Sequence, residues 1–192
     1  MTDDAQLLAM HHTARDAFGR LVHGVAADGW SAPTPCSDWD VRTLVGHVVD
    51  EQRWVPPLLG EQRTVTDVGD ELSGDALGDD PAAAWDREAG AAYAVWDAPG
   101  ALGREVSLSR GPTAARDYAT EMLTDLIVHG WDLAQGSGQQ YAMDEATAQL
   151  LYDYWKPHAA MLAESGMFAP AVAVPDDAPA SAKLLALSGR KP

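Results

Sequence analysis

The 192-residue sequence contains one cysteine, Cys36, which excludes an intrachain disulfide framework and any cysteine-rich zinc site, and fits a reducing compartment. Basic residues are scarce. Thirteen lysines and arginines, only three of them lysine, face 29 aspartates and glutamates, giving a formal charge of −16. Such an acid excess repels phosphates before contact and argues against a broad nucleic-acid or anionic-membrane surface. No uninterrupted apolar run reaches the roughly 18 to 20 residues that a membrane span needs. The acidic start Met1-Thr2-Asp3-Asp4 lacks the basic and apolar segments of a signal peptide. A soluble cytoplasmic protein is therefore expected, with small molecules rather than nucleic acid or membrane as partners. Strand signals are few as well, yet apolar residues are 46% and charged residues 22% of the chain, which is globular usage. The length suits a single domain over residues 1–192 with a sizeable core.

Helical periodicity dominates. Leu7, Met10, Ala14, Phe18, Leu21, Val22 and Val25 recur at three- and four-residue spacing and lay one stripe along a long helix, which Gly29, Pro33 and Pro35 end. Ser37 or Asp38 is positioned to cap a second helix, with Val41, Leu44, Val45, Val48, Gln52 and Val55 facing inward until Pro56-Pro57 loosens it. Residues 64–80 read as a mobile acidic loop. Asp80-Pro81 signals the start of a third helix bearing Trp85, Ala89, Ala92 and Trp96. After Pro99-Gly100, Glu105–Ser109 reads as a short strand or extended connection. Thr113 opens a fourth helix reaching about Gln135, and Asp144 caps a fifth through Leu151, Tyr152, Trp155 and Leu162 towards Gly166. A core over about residues 5–165 and an extended, packed tail over 166–192 complete the expectation. The fold class is all-α, a helical bundle whose sites form between facing helices.

The fourth helix carries an anomaly. At 100° per residue, Asp125 and His129 point in the direction of Tyr118, Met122 and Leu133, the inward stripe. Burying an unpaired carboxylate is costly, so either Asp125 and His129 satisfy each other or a cation satisfies both. His47 sits at the edge of the second helix's apolar stripe, beside Leu44 and next to Glu51, and can look into the same bundle. Two histidines and one carboxylate from two helices make a three-point N,N,O site with coordination positions left open, which is the catalytic type of site. Tyr118 and Glu121, within two turns of Asp125, are candidates for proton transfer or for orienting the ligands. His11 falls on the inward stripe of the first helix, as a core histidine, a substrate contact or a fourth ligand. Cys36 precedes a helix start, yet fits a buried small apolar side chain better than a reactive thiol.

Three segments carry a family resemblance. Pro33-Thr34-Pro35-Cys36-Ser37-Asp38-Trp39-Asp40-Val41-Arg42 with Leu44-Val45-Gly46-His47-Val48-Val49 resembles the N-terminal signature of the actinobacterial maleylpyruvate isomerase-like, DinB-type metal-binding proteins. Thr124-Asp125-Leu126-Ile127-Val128-His129-Gly130-Trp131-Asp132-Leu133-Ala134 is similar to their second signature. The tail, from Phe168-Ala169-Pro170 to Gly189-Arg190, resembles the C-terminal end of one subgroup.

The resemblance implies a DinB-like four-helix bundle holding one divalent metal through His47, Asp125 and His129. It also implies a low-molecular-weight thiol such as mycothiol as co-substrate, with an electrophile, in group transfer or isomerisation. The family's mycothiol-dependent isomerase has glutamate where this chain has Asp125, and an additional C-terminal domain, so specific maleylpyruvate isomerisation is not the expectation. Borderline N,N,O ligation suits zinc, nickel, iron or manganese. Other readings are a metal-dependent hydrolase, a non-catalytic ligand-binding or sensor protein, and a metal-free bundle; a homodimer is compatible with all of them.

Overall fold

The computed structural model of the protein describes residues 2–36, 38–165 and 169–192. Its helices are α1 (Asp4–His23), α2 (Val41–Val55), the four-residue α3 (Val65–Val68), α4 (Pro81–Trp96), α5 (Ala115–Ser137), α6 (Glu145–Trp155), α7 (Ala159–Ser165) and α8 (Ala180–Leu187). One antiparallel hairpin, β1 (Glu105–Leu108) with β2 (Gly111–Ala114), interrupts them. The all-α expectation holds. By its internal contacts the chain divides into two compact units, Met1–Gln140 and Tyr141–Pro192. No helix among the described residues is long and apolar enough to cross a membrane.

Aspartates start four of the helices. Asp3, Asp40, Asp80 and Asp144 each accept from a backbone N–H three residues on, satisfying one of the donors that a helix N-terminus leaves open. The cap of α2 is thus Asp40, not Asp38, and Ser37 lies outside the described residues. Helix α5 has no side-chain cap, because its chain enters directly from β2. The expected start at Thr113 is therefore two residues early: Thr113 pairs with Val106 across the hairpin. Gly138, in the left-handed region at φ 69°, ends α5 and lets Gln139 N–H bond to the Ala134 carbonyl.

In the first unit, α1 packs against α4 and α5, and α2 packs against the same two helices, so the four close into a bundle. The α2 stripe of Val41, Leu44, Val45, Val48, Gln52 and Val55 is wholly buried as expected, as are Leu7, Ala14, Phe18, Leu21 and Val22 of α1; Met10 and Val25 are half-buried. Each large apolar side chain so buried contributes about 1.5–3 kcal/mol. Helix α5 is buried on more than one face, from Leu123 and Leu126 to Val128 and Leu133. The end of α2 continues through Pro56–Gly60 as a wider turn in which Glu61 N–H reaches back to the Pro56 carbonyl. Arg104 donates to the Leu59 carbonyl there, so the C-terminal end of α2 lies beside the entry to α5. At the other end, Pro33, Thr34 and Val41 crowd Gly136. The two helices run antiparallel.

Residues 64–80 are more ordered than a mobile loop. Thr64 and Asp67 form a reciprocal capping box at α3, and Arg63 clamps Glu71 at 2.6 and 2.9 Å. In the second unit, Lys156–His158 form a tighter turn at Pro157 that separates α6 from α7; the expected helix end at Gly166 lies outside the described residues. The tail expected to be extended contains α8, which packs on α6 through the buried Leu184, Leu185 and Ala186. The apolar Ala180–Leu187 run overrides the prolines around it.

Candidate metal centre

Antiparallel packing sets His47 of α2 opposite Asp125 and His129 of α5. Each of the three offers a ligand atom, and those atoms lie within 4.8 Å of one another. Among the described residues no other group of three or more histidines, cysteines, aspartates or glutamates comes together in this way. His47 and Asp125 are partly open, with side chains 30% and 28% exposed, whereas His129 is 7% exposed. Two of the three are therefore partly exposed and one is enclosed. Trp39, just before α2, stacks over both imidazoles, with ring centroids 4.8 Å from His47 and 5.5 Å from His129.

The pairing differs from the simple Asp125–His129 bond that spacing suggests. His129 Nδ1 lies 3.1 Å from Oδ2 of Asp132, which is fully buried. The carboxylate can only accept, so Nδ1–H donates and Nε2 keeps its lone pair, the form in which a histidine binds metal. Asp125 instead lies 3.8 Å from His47 Nε2, an ion-pair distance rather than a hydrogen bond. Burial opposes a charge on His47, but the Asp125 carboxylate, joined by Glu51 and Asp50, outweighs it and raises the imidazole above its ordinary pKa. Glu51, one turn beyond His47, is pushed up to about 7 by burial, then by the charge of Asp125, with Asp50 and Glu121 adding to it and His47 opposing it.

Three donors of this kind could together hold a metal ion. Burial and the charge of Asp125 raise Glu51, the Asp125 carboxylate raises His47, and two imidazoles with one carboxylate form a borderline donor set matched to a divalent transition ion. The residues fit such an ion.

The other candidates divide. Tyr118 is 5% exposed and its hydroxyl has no hydrogen-bond partner among the described residues. Glu121 is clamped by Arg110 of the hairpin turn, 2.7 Å from each carboxylate oxygen, and serves as an anchor for that turn. His11 is 1% exposed, 2.8 Å from the Tyr93 hydroxyl and 2.5 Å from the Ala119 carbonyl. Burial first of all lowers its pKa to about 4. It is a neutral core histidine whose ring nitrogens are both engaged away from the cluster. Cys36 is half-buried in the turn that precedes Asp40, four residues short of the cap, so the α2 dipole does not act on it directly. A groove of about 420 Å³ between α1 and α4, lined in part by Arg15, Arg20, His23, Trp85 and Asp86, contains none of the three cluster residues.

Sequence reasoning missed Asp132, and weighed Glu51 only as a neighbour of His47. The available signal was spacing: Asp132 follows His129 by three residues and Glu51 follows His47 by four, both helical neighbour positions.

With this geometry in place, the chain belongs to the mycothiol maleylpyruvate isomerase N-terminal domain family, which matches residues 11–134. The match spans α1 through most of α5, including all three cluster residues, and the all-α fold is DinB-like. Two similar proteins from Mycobacterium tuberculosis, the uncharacterized proteins MT0763 and Rv0738, are each 30% identical over 141 residues, covering 73% of this chain and 72% of theirs. No solved structure matches the chain significantly.

Proposed function

We propose that the protein is a metal-dependent enzyme that uses a small thiol of the mycothiol type to transfer or isomerise an electrophilic substrate, with His47, Asp125 and His129 as metal ligands. The observation that carries this reading is the gathering of two imidazoles and one carboxylate within 4.8 Å on facing helices, two of them partly exposed. The family's name supports a thiol as co-substrate. A divalent ion held there would lower the pKa of a thiol or water bound at an open position, supplying a nucleophile at neutral pH.

The chain's own residues have distinct parts in this. Asp132 holds the His129 ring in the tautomer that presents Nε2. Trp39 packs against both imidazoles and restricts their rotation. Glu51, one turn beyond His47 on the same helix, is the carboxylate placed to accept a proton released beside the cluster.

Elemental analysis of untagged protein, followed by calorimetry of metal-loaded and metal-free protein against mycothiol and a plain thiol, tests the proposal. About one divalent ion per chain, and thiol binding that vanishes on metal removal, are expected. Metal without any thiol binding would favour the hydrolase or sensor reading, and protein that takes up no metal would leave a structural bundle.

A further inference from the structure

The groove between α1 and α4 lies where two glycines face each other. His12 Nε2 meets Asp97 at 2.8 Å and His23 Nε2 meets Asp86 at 3.0 Å, bridges that are eleven residues apart on both helices and so hold them antiparallel in one register. One helical turn in from the His23–Asp86 bridge, that register sets Gly19 of α1 opposite Gly90 of α4. A Cβ at Gly19 would lie 2.7 Å from Nε1 of Trp85, so glycine there lets the indole edge come up to the α1 backbone, while a Cβ at Gly90 would meet nothing within 4 Å. Both glycines line the groove, whose volume of about 420 Å³ is of the size that holds a small organic molecule.

The polar groups on its walls are unevenly satisfied. Asp16 accepts from Nε and Nη2 of Arg15 at 2.9 and 2.7 Å, and Asp86 is held by His23, so both lining carboxylates have partners. Two donors do not. Trp85 is 3% exposed and its Nε1 has no acceptor among the described residues; unlike the sealed Nε1 of Trp96, it reaches the groove surface. Arg20, next to Gly19 in the chain, has a guanidinium with no hydrogen bond or ion pair among the described residues, whereas every other arginine donates to a carboxylate or a carbonyl. In a chain with 29 acidic side chains, an unclaimed guanidinium beside an unclaimed indole N–H calls for an acceptor from outside the chain.

We propose that the α1–α4 groove binds a small organic carboxylate, with its oxygens on the Arg20 guanidinium and the Trp85 indole N–H and its apolar body against Gly19, Ala89 and Gly90. A planar carboxylate matches the guanidinium fork. The uncharged wall of Gly19, Ala89 and Gly90 favours an organic carboxylate over inorganic phosphate, which has no apolar body to place there. An amine would have to compete with Arg15 or His23 for its carboxylate. None of His47, Asp125 and His129 lines the groove, so this site stands apart from the metal cluster and does not depend on it.

The test uses full-length, metal-free protein, in which a carboxylate has no ion to ligate. Benzoate, benzylamine and inorganic phosphate are titrated in. The Trp85 indole N–H is followed by NMR, assigned by its loss in Trp85→Phe, and calorimetry follows binding without any assignment. The Trp85 resonance is expected to shift saturably with benzoate and with neither of the other two. Arg20→Gln is expected to weaken benzoate binding about tenfold, the worth of a charged hydrogen bond. Gly90→Leu, which puts a side chain on the groove wall where a Cβ meets nothing, is expected to abolish binding with helical circular dichroism unchanged. No saturable benzoate binding, an equal response to benzylamine or phosphate, or full affinity in Arg20→Gln or Gly90→Leu would each overturn the proposal. Zinc loading is expected to leave the Trp85 response as it is; benzoate binding that appears only with zinc belongs to the cluster and removes this site.

Discussion

The buried Asp132 carboxylate accepts from His129 Nδ1 at 3.1 Å, one turn along the same helix, and so determines which nitrogen of His129 faces His47 and Asp125. A residue three positions away can do this because α5 is enclosed enough to keep Asp132 from water, so the carboxylate and imidazole are held to each other. Asp132→Asn loses the charge that fixes the tautomer. It is expected to lower metal affinity about 10- to 100-fold, read by chelator competition, with helical circular dichroism unchanged. Wild-type affinity in this variant would remove Asp132 from the site.

The three proposed ligand positions differ in what they tolerate. His47→Ala and His129→Ala are expected to lose most bound metal while remaining folded, since the bundle core does not depend on either imidazole. Asp125→Glu reaches the same point from the same turn and is expected to retain metal with altered coordination, visible in the absorption spectrum of the cobalt-substituted protein. Full metal occupancy in both histidine variants would refute the assignment.

Metal uptake should be coupled to pH through His47. Its pKa is raised above the ordinary value of 6.5, so the metal displaces a proton wherever the pH lies below that raised value. Affinity is expected to fall about tenfold per pH unit as the solution is acidified through that range, with matching proton release in calorimetry. A flat profile from pH 8 to pH 6 would contradict it.

Stability of the metal-free protein should run the other way. Glu51 and His47 both have raised folded-state pKa values, so each contributes stability that is fully present below its unfolded pKa and lost as pH rises through its folded one. For Glu51 the window runs from the unfolded value of 4.5 to about 7. Metal-free protein is expected to melt at lower temperature at pH 8 than at pH 5.5, and metal to restore the loss. Glu51→Gln should flatten the metal-free profile and gain about 1–2 kcal/mol at pH 8, allowing for the partial exposure of the side chain. Calorimetric melting across pH checks both statements.

Cys36 provides a control. It stands outside the cluster and ahead of the α2 cap, so Cys36→Ser is expected to cost at most about 1 kcal/mol and to leave metal content and thiol binding unchanged. Loss of thiol binding with metal intact would bring it into the site.

The three cluster residues were legible because helical periodicity is a local property: one turn per 3.6 residues places His47, Asp125 and His129 on inward-facing stripes whatever the rest of the chain does. The aspartate starts of α4 and α6, at Asp80 and Asp144, were legible for the same reason, since a side chain reaching a backbone N–H three residues on needs no distant partner. Where a second segment was required, local signals fell short. The strand Gly111–Ala114 has little strand propensity and exists because Glu105–Leu108 pairs with it, which delays the start of α5. Helix α8 forms among prolines because α6 offers its apolar face a place to be buried. The pairing of His129 with Asp132 rather than Asp125, the clamping of Glu121 by Arg110, the enclosure of His11 between Tyr93 and Ala119 and the orphan hydroxyl of Tyr118 depend on which helices surround α5. Spacing along one helix sets direction; distance, burial and charge across helices are set only when α1, α2, α4 and α5 close around one another.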